Sequence, residues 1–200
     1  MVKAIIFDIG GVLDKGKPEE HWVELCKSLN LDFEKFQAIR KKYTDDARIG
    51  KLSTKEYVSQ IAKDLGLKYE DLFSNWLRTK RENMKIDKEI ENLIKNLKKK
   101  GYKVATLSNI IELHHQVRIE NKAYDLFDFA VISFKERIDK PNEKIYQIVI
   151  DKLKLPPEEM VFIEDSERNL KTAKKLGMKT ILFKDNKQLI KDLKDLGVKI

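Results

Sequence analysis

The chain has 200 residues, which is enough for one substantial domain or for one domain with a smaller insert. Its composition is 42% hydrophobic and 37% charged, so it can bury a core beneath a highly charged surface. The single cysteine, Cys26, excludes an internal disulfide and fits a reducing compartment. No apolar run approaches the roughly 20 residues that cross a bilayer, and the amino terminus lacks the features of a signal peptide. We therefore expect a cytoplasmic protein that does not bind a membrane.

The net charge of +8 does not by itself indicate nucleic-acid binding. The 41 basic residues are interspersed with 33 acidic ones. The densest basic cluster, residues 98–100, closes a predicted helix, where cations complement the helix dipole. We predict no nucleic-acid partner and a mild preference for anionic substrates.

The first predicted element is a strand, Ala4–Phe7, which ends at Asp8 and is followed by the flexible pair Gly10-Gly11. Residues 18–83 then show helical rather than strand spacing. Apolar side chains recur three and four residues apart through four segments, and Ser53–Glu56 and Gly66 look like the start and stop of the third helix. We predict an all-helical insert of about four helices.

Beyond the insert, strands alternate with helices. Apolar runs predict strands at 104–107, 129–132, 160–163 and 180–183, and helical spacing predicts helices over 87–100, 113–123, 142–153, from 165 to 176, and around 189–193. This alternation predicts an α/β fold, a three-layer doubly wound parallel sheet, with the helices as an inserted cap. The expected boundaries are 1–14 and 86–200 for the core and 15–85 for the cap.

Polar residues follow the predicted core strands, and parallel strands bring their carboxyl ends to one edge of a sheet. That edge should collect three carboxylates, a hydroxyl, an amide and an ammonium group, from Asp8, Glu164, Asp165, Ser108, Asn109 and Lys140. Adjacent carboxylates repel unless a cation lies between them, and oxygen ligands suit Mg²⁺. Ser108 and Lys140 could hold a phosphate while a carboxylate attacks phosphorus.

Each motif also has a structural interpretation. Asp8 with Gly10-Gly11 could be turn chemistry, and Lys140-Pro141 is ordinary loop sequence. Ser108-Asn109 and Glu164–Ser166 could cap the helices that follow them. Four such motifs in order, each after a core strand, favour the functional interpretation.

The motifs FDIGGVL, LSN, DKPNEKIY and FIEDSERNLKTAKKLGMKTILF resemble those of the haloacid dehalogenase superfamily of aspartate-nucleophile phosphohydrolases. The resemblance covers residues 1–14 and about 86–190, and it places the insert where the family carries its first-type cap. It implies that Asp8 is nucleophile and metal ligand, that Ser108 and Lys140 bind the phosphoryl group beside Asn109, and that Asp165 binds Mg²⁺ with support from Glu164. Gly10 would supply a backbone carbonyl to the metal, and Gly10 and Gly11 would line the phosphate.

The sequence departs from the family at Gly10, where most of its phosphatases carry a second aspartate as general acid and base. Three interpretations remain open: a phosphatase of the Asp-x-Gly-Gly-Val type, a metal-independent 2-haloacid dehalogenase, and a silent phosphate-binding or interaction protein or a phosphoryl transferase. The pair Glu164-Asp165 argues against the dehalogenase, which has no use for a Mg²⁺ site. We favour a Mg²⁺-dependent phosphatase acting on a small phosphorylated metabolite, with a sugar phosphate as one candidate.

The insert offers further candidate site residues. The connection Arg48–Lys51 carries two cations, Arg48 and Lys51, which similar caps direct toward the substrate, although an exposed turn is an equal alternative. Asp14 or a cap residue could replace the missing acid, or the leaving group could need little protonation. His21 could donate a proton, but a solvated surface histidine is the expected state. The sequence is compatible with a monomer or a homodimer.

Overall fold

The computed structural model describes the backbone of residues 1–200 and every side chain except that of Pro18. The strands are β1 Ala4–Phe7, β2 Lys103–Ser108, β3 Phe129–Ile132, β4 Met160–Glu164 and β5 Lys179–Leu182. The helices before β2 are α1 Pro18–Ser28, α2 Phe33–Arg48, α3 Thr54–Leu65, α4 Tyr69–Asn83 and α5 Lys88–Lys99. Those after it are α6 Glu112–Glu120, α7 Ser133–Glu136, α8 Glu143–Leu153, α9 Glu167–Lys175 and α10 Asn186–Asp195. Short 3₁₀ helices lie at Ala123–Leu126 and Pro157–Glu159.

All five strands are parallel, in the order β3-β2-β1-β4-β5. The central strand β1 pairs with β2 and β4, so that Ile6 lies between Ala105 and Phe162. The first strand of the chain therefore occupies the middle of the sheet, and its carboxyl end is flanked by the ends of two other strands. This position makes Asp8 the centre of the sheet edge.

The sheet is covered on both faces, which makes three layers. Alternate β1 residues point to opposite sides: Ile5 and Phe7 pack with α5 and α10, whereas Ala4 and Ile6 pack with α8 and α9. Strands buried on both faces need continuous apolar sequence, as in Ala4–Phe7. The predicted three-layer parallel α/β fold is confirmed.

Helices α1–α4 form the predicted helical insert, with its own apolar cluster. Trp22, Phe36, Tyr57 and Trp76 are buried there. The predicted start and stop of α3 are confirmed: Ser53 and the glutamate three residues later form a capping box, and Gly66 ends the helix at φ +71°. The two tryptophans pack edge to face, with centroids 5.0 Å apart, so both belong to the insert's core.

The chain leaves and re-enters the α/β layer at one place. Asp14 pairs with Ile86 as an antiparallel bridge, and the amide of Asp87 donates to the carbonyl of Leu13 at 2.9 Å. The two connections are thus held side by side, near the predicted boundaries at 14 and 86. Among the described residues, none of the helices combines the length and apolarity needed to cross a membrane.

Candidate active site

Four ionisable side chains from three chain segments converge at the carboxyl edge of the sheet. Asp8 follows β1, Glu164 ends β4 and Asp165 follows it, and one carboxylate oxygen from each lies within 4.8 Å of the others. The ammonium of Lys140 reaches the same point, 2.6 Å from Glu164 Oε2 and 3.2 Å from Asp8 Oδ1. Three carboxylates against one ammonium leave an excess of negative charge.

Lys140 is buried, and both its ammonium group and its backbone amide are hydrogen-bonded. Its Nζ also donates to the Leu107 carbonyl at 3.0 Å, while its backbone amide donates to Asn109 Oδ1 at 2.8 Å. Asn109 Nδ2 donates in turn to the Lys140 carbonyl at 2.9 Å. The Asn109 side chain therefore brackets the loop that carries Lys140, beside the cis Lys140-Pro141 bond. The structure places Asn109 next to the predicted phosphate site, with its amide engaged by that loop.

The helix-capping interpretation of these motifs is not what the structure shows. The N-cap of α6 is Ile111, not Ser108 or Asn109. The N-cap of α9 is Ser166, whose side chain makes no capping hydrogen bond. Glu164 Oε1 accepts from the Ser166 amide at 3.3 Å, but its other oxygen faces Lys140. The polar residues at these strand ends are directed toward one another.

The donor set fits a hard divalent cation. Asp8 Oδ1 is buried and makes no hydrogen bond within the described chain, because the nearby Lys140 ammonium lies outside hydrogen-bonding geometry. Gly11 adopts φ +73°, and a Cβ there would lie 2.1 Å from Asp165 Oδ2. Glycine at position 11 thus leaves room for the Asp165 carboxylate to approach Asp8. Asp8, Asp165 and Glu164 are the residues that fit Mg²⁺.

Burial and then the charge of Asp8 raise the pKa of the Glu164 carboxyl, and the Lys140 ammonium opposes that rise. Glu164 is 1% exposed, so its ionised form depends on nearby positive charge. A divalent cation among these carboxylates would favour ionisation in the same way as Lys140.

Ser108 is fully buried at the end of β2 and receives a hydrogen bond from a residue that the sequence analysis did not select. Arg118, on α6, donates from Nη1 to Ser108 Oγ at 2.7 Å. Only 6% of Arg118 is exposed, and its Nε finds no partner within the described chain. Its Nη2 lies 3.4 Å from where a Cβ on Gly10 would be. The guanidinium therefore covers Gly10.

A cavity of about 240 Å³ opens beside Gly10 and Gly11, between the sheet edge and the helical insert. Its charged lining is mainly basic: Arg40, Arg48, Lys80 and Arg118 face a single carboxylate, Asp14. The lining also includes Asn109, Trp22 and His114. The cavity is suited to an anionic group larger than a single ion.

Of the two predicted cationic residues on the loop of the insert, the structure brings only Arg48 to the cavity. Arg48 ends α2 and binds Asp139 Oδ2 at 2.6 Å and Asp45 Oδ1 at 2.7 Å. Lys51 is exposed and pairs with Asp46 at 3.3 Å, away from the lining. Gly50, at φ +68°, packs so closely that a Cβ would lie 2.3 Å from the Phe134 carbonyl oxygen. This connection is a contact between insert and core.

Asp14, the candidate substitute for the acid, is buried and multiply bonded. Its Oδ2 lies 3.1 Å from Lys80 Nζ, and Oδ1 accepts from the amides of Gly16 and Lys85 at 3.0 and 3.2 Å. Burial lowers the pKa of the Lys80 ammonium, an effect that Asp14 opposes. Asp14 thus holds the connection between insert and core through its contacts with Lys80 and the two amides.

The expectation of a solvated His21 is wrong. His21 is 2% exposed, and Nδ1 lies 3.1 Å from Thr79 Oγ1, whose hydroxyl donates to the Trp76 carbonyl. This arrangement assigns the proton to Nδ1 and leaves Nε2 buried without a partner within the described chain. Burial, with Lys80 and Arg40 nearby, lowers the pKa of His21 to about 3. The imidazole is therefore neutral, because burial and two nearby cations disfavour a further positive charge. It packs on the ring of Trp22.

Comparison with known proteins decides the family. The profile of the haloacid dehalogenase-like hydrolases matches residues 2–177. The chain belongs to this family. The hydrolase is 26% identical over 195 residues to the sesquiterpene phosphatase astK of Aspergillus oryzae, covering 97% of this chain and 96% of that protein. It is also 26% identical over 219 residues to pig bifunctional epoxide hydrolase 2, covering all of this chain but only 40% of the pig protein.

Among solved structures, the hydrolase is similar to the magnesium complex of the enzyme bt-2542 from Bacteroides thetaiotaomicron. The two chains are 25% identical, with a TM-score of 0.77, and the match covers 94% of this chain and 98% of the other. The similarity therefore includes the helical insert as well as the sheet.

Arg118, Arg40, Lys80 and His114 are the site residues that sequence reasoning missed. Each lies on a helix, whereas the sequence motifs lie at strand ends and in loops. The only available signal was the position of two arginines beside buried apolar neighbours, Arg118 after Val117 and Arg40 after Ile39. Such a signal is weak, because long cationic side chains usually extend from a helix to solvent.

Proposed function

We propose that this hydrolase is a Mg²⁺-dependent phosphatase that removes the phosphoryl group of a small metabolite through an aspartyl-phosphate on Asp8. The observation that carries the proposal is the cluster of Asp8, Glu164 and Asp165 within 4.8 Å of one another, with Lys140 on one side. A carboxylate cluster of this kind has a cation requirement that a halide-displacing enzyme does not have. The similarity to a curated phosphatase over the whole chain supports the same assignment.

In the first step, an oxygen of the buried Asp8 carboxylate attacks phosphorus. Ser108 and Lys140 lie on the same edge of the sheet and are placed to hold the oxygens of the phosphoryl group. Lys140 supplies an ammonium group in a site almost closed to water, where a positive charge has its largest effect on the transition state. Mg²⁺ held by Asp8 and Asp165, with Glu164 beside it, would neutralise phosphate charge.

In the second step, water attacks phosphorus in the aspartyl-phosphate and restores the Asp8 carboxylate. Helices α1–α4 act in this proposal as the cap, with 15–85 as its extent and 1–14 and 86–200 as the core. The cap covers the sheet edge and forms one wall of the cavity, so it restricts both water and substrate size. A cavity of about 240 Å³ suits a small metabolite, and sugar phosphates are among the candidates.

The experiment is phosphate release from p-nitrophenyl phosphate and a panel of sugar phosphates, with and without Mg²⁺. We expect Mg²⁺-dependent release by the wild type. Asp8→Asn keeps the shape of the side chain but removes the nucleophile, so release should fall at least about 10⁴-fold, toward the uncatalysed background. Asp151→Asn, an exposed aspartate on α8, is the matched control and should retain full activity.

Two other outcomes would assign a different function to this protein. Halide release from 2-chloropropionate, independent of Mg²⁺, would identify a dehalogenase. Tight binding of Mg²⁺ and inorganic phosphate without turnover of any substrate would identify a silent phosphate-binding protein.

A further inference from the structure

The space above Gly10 contains a guanidinium. Arg118 Nη2 lies 3.4 Å from the position that a Cβ on Gly10 would take, and that position is 3.9 Å from Asp8 Oδ2. A side chain at position 10 would therefore share its space with Arg118. The cation is within reach of any group bonded to phosphorus at Asp8, on the side that faces the cavity.

Arg118 has N–H donors that no group of the described chain accepts. Nη1 is taken by Ser108 Oγ at 2.7 Å, but Nε is buried without a partner in the described chain, and no carboxylate of a described side chain lies within 4.0 Å of the guanidinium. The guanidinium contacts two neutral hydroxyls, those of Ser108 and Tyr124, and no carboxylate pairs with it, so it lacks charge compensation. An anion in the cavity would supply that compensation.

Arg40, a second guanidinium of the same cavity, is also bound by neutral groups. It donates to Gln37 Oε1 at 2.8 Å and to Thr44 Oγ1 at 3.3 Å, and it lies 4.5 Å from the centre of the Trp22 ring. Arg48 and Lys80, in contrast, each pair with carboxylates. The cavity thus offers two uncompensated guanidiniums, one beside Gly10 and one on the opposite wall formed by α2.

We infer that Arg118 is a catalytic residue that stabilises the negative charge of the leaving oxygen, and that the substrate is an organic phosphoanhydride whose leaving group is itself a phosphate. The inference rests on the proposed phosphatase function. An arginine has no proton to give at neutral pH, so it assists departure as a charge and not as an acid. Assistance of this kind favours a weakly basic leaving group over an alkoxide, which gains more from a proton.

The chemistry balances without a proton donor. An oxygen of Asp8 forms the bond to the terminal phosphorus, and the bond from that phosphorus to the bridging oxygen breaks. The electron pair stays on the bridging oxygen, which departs as part of an organic monophosphate and is held by Arg118, with Arg40 near its remaining charge. Water then attacks the aspartyl-phosphate, which yields inorganic phosphate, a proton released to solvent, and the free carboxylate.

The first test separates this role from the positioning of Ser108. We would measure kcat/KM of wild type and Arg118→Gln on dinitrophenyl, nitrophenyl and phenyl phosphate, whose leaving groups become progressively more basic. Loss of a charge that acts on the leaving oxygen should grow along this series, from less than about tenfold to about 100-fold or more. A loss that is equal for all three esters would mean that Arg118 only positions Ser108, and would overturn the inference.

Two further variants keep the test decisive. Arg118→Lys restores a positive charge, so it should recover part of the activity on phenyl phosphate even if Arg118→Gln folds poorly. Arg78→Gln removes an exposed arginine paired with Glu82 on α4 and should leave all three rates unchanged.

The second test compares methyl diphosphate with methyl phosphate, which differ only in the leaving group. We expect kcat/KM for the diphosphate to be at least about 100-fold higher, with methyl phosphate accumulating as product. Equal or better hydrolysis of methyl phosphate would overturn the substrate assignment. If the wild type hydrolyses none of the phosphate compounds in either test, the phosphatase function itself is refuted; turnover with the wrong selectivity refutes only this inference.

Discussion

The two sides of Gly10 differ in how their charge is balanced. On the sheet edge, Asp8, Glu164 and Asp165 share one ammonium, that of Lys140. On the cavity side, the guanidiniums of Arg118 and Arg40 are bound by neutral groups. The edge therefore has surplus negative charge and the cavity surplus positive charge. A phosphorylated substrate with a divalent cation would compensate both at once, which is why the contrast points to a ligand and not to fold stability.

The largest effect on stability should come from breaking the balance on the sheet edge with Lys140→Met. This change leaves Glu164 and Asp8 buried without their cation, so we expect a loss of about 3–5 kcal/mol in the free energy of unfolding without Mg²⁺. Activity should fall about 10³-fold because a preorganised charge at the phosphoryl group is lost. Denaturant titration and kcat/KM on p-nitrophenyl phosphate measure the two effects.

Added Mg²⁺ should restore more stability to Lys140→Met than to the wild type, since the cation takes over part of the charge compensation. Lys98→Met is the matched control, because Lys98 pairs with Asp128 at 2.9 Å on the surface. It should cost no more than about 1 kcal/mol and no activity. Activity of Lys140→Met within tenfold of the wild type would contradict the role of Lys140.

A smaller effect should follow from Gly10→Asp, which restores the residue that most family phosphatases carry. The new carboxylate would lie beside Arg118 Nη2, and that guanidinium would lower the pKa of the carboxyl and hold it ionised. We expect kcat/KM on phenyl phosphate to fall about tenfold, because Arg118 is diverted from the leaving oxygen to an ion pair. A free general acid would instead raise the rate by about 10²–10⁴.

The double variant Gly10→Asp with Arg118→Gln sharpens this result. Without the guanidinium, the carboxyl can hold a proton and assist a basic leaving group, so the double variant should exceed Gly10→Asp alone on phenyl phosphate. A clear gain from Gly10→Asp by itself would show that Arg118 does not occupy the functional place of the missing acid.

The residues that meet at the sheet edge could be predicted from the sequence, whereas most residues that line the cavity could not. The reason is physical. Asp8 follows one apolar strand and Glu164 ends another, and parallel pairing brings strand ends together whatever the details of packing. Arg118 and His21 reach their places through the rotation of α6 and α1 and through the packing of the insert on the core. Those contacts are long-range, and the three-to-four-residue spacing of a helix does not report which partner a polar side chain meets.

The smallest effect at neutral pH concerns His21, which is buried in the helical insert. Its pKa is lowered from 6.5 to about 3 by burial, with the nearby cations Lys80 and Arg40 contributing. The unfolded chain therefore binds a proton below pH 6.5 that the folded chain refuses, and stability must fall as the pH falls. From pH 7 to pH 5 the loss that His21 alone contributes is about 2 kcal/mol, and the buried histidines His114 and His115, whose pKa is also lowered by burial, add to it. Denaturant titrations at several pH values measure this slope.

His21→Asn should reduce the slope between pH 7 and pH 5 without abolishing it, because His114 and His115 remain whereas the substituted side chain does not titrate there. It can still donate to Thr79, the partner of His21 Nδ1 at 3.1 Å. The matched control is Val58→Ala, which truncates a buried side chain in the apolar cluster of the insert. It should lower stability at every pH by about 0.5–3 kcal/mol and leave the slope unchanged. If both variants kept the wild-type slope, the acid sensitivity would belong to other groups. A smaller slope in His21→Asn alone would assign that part of the acid sensitivity to the buried His21 imidazole.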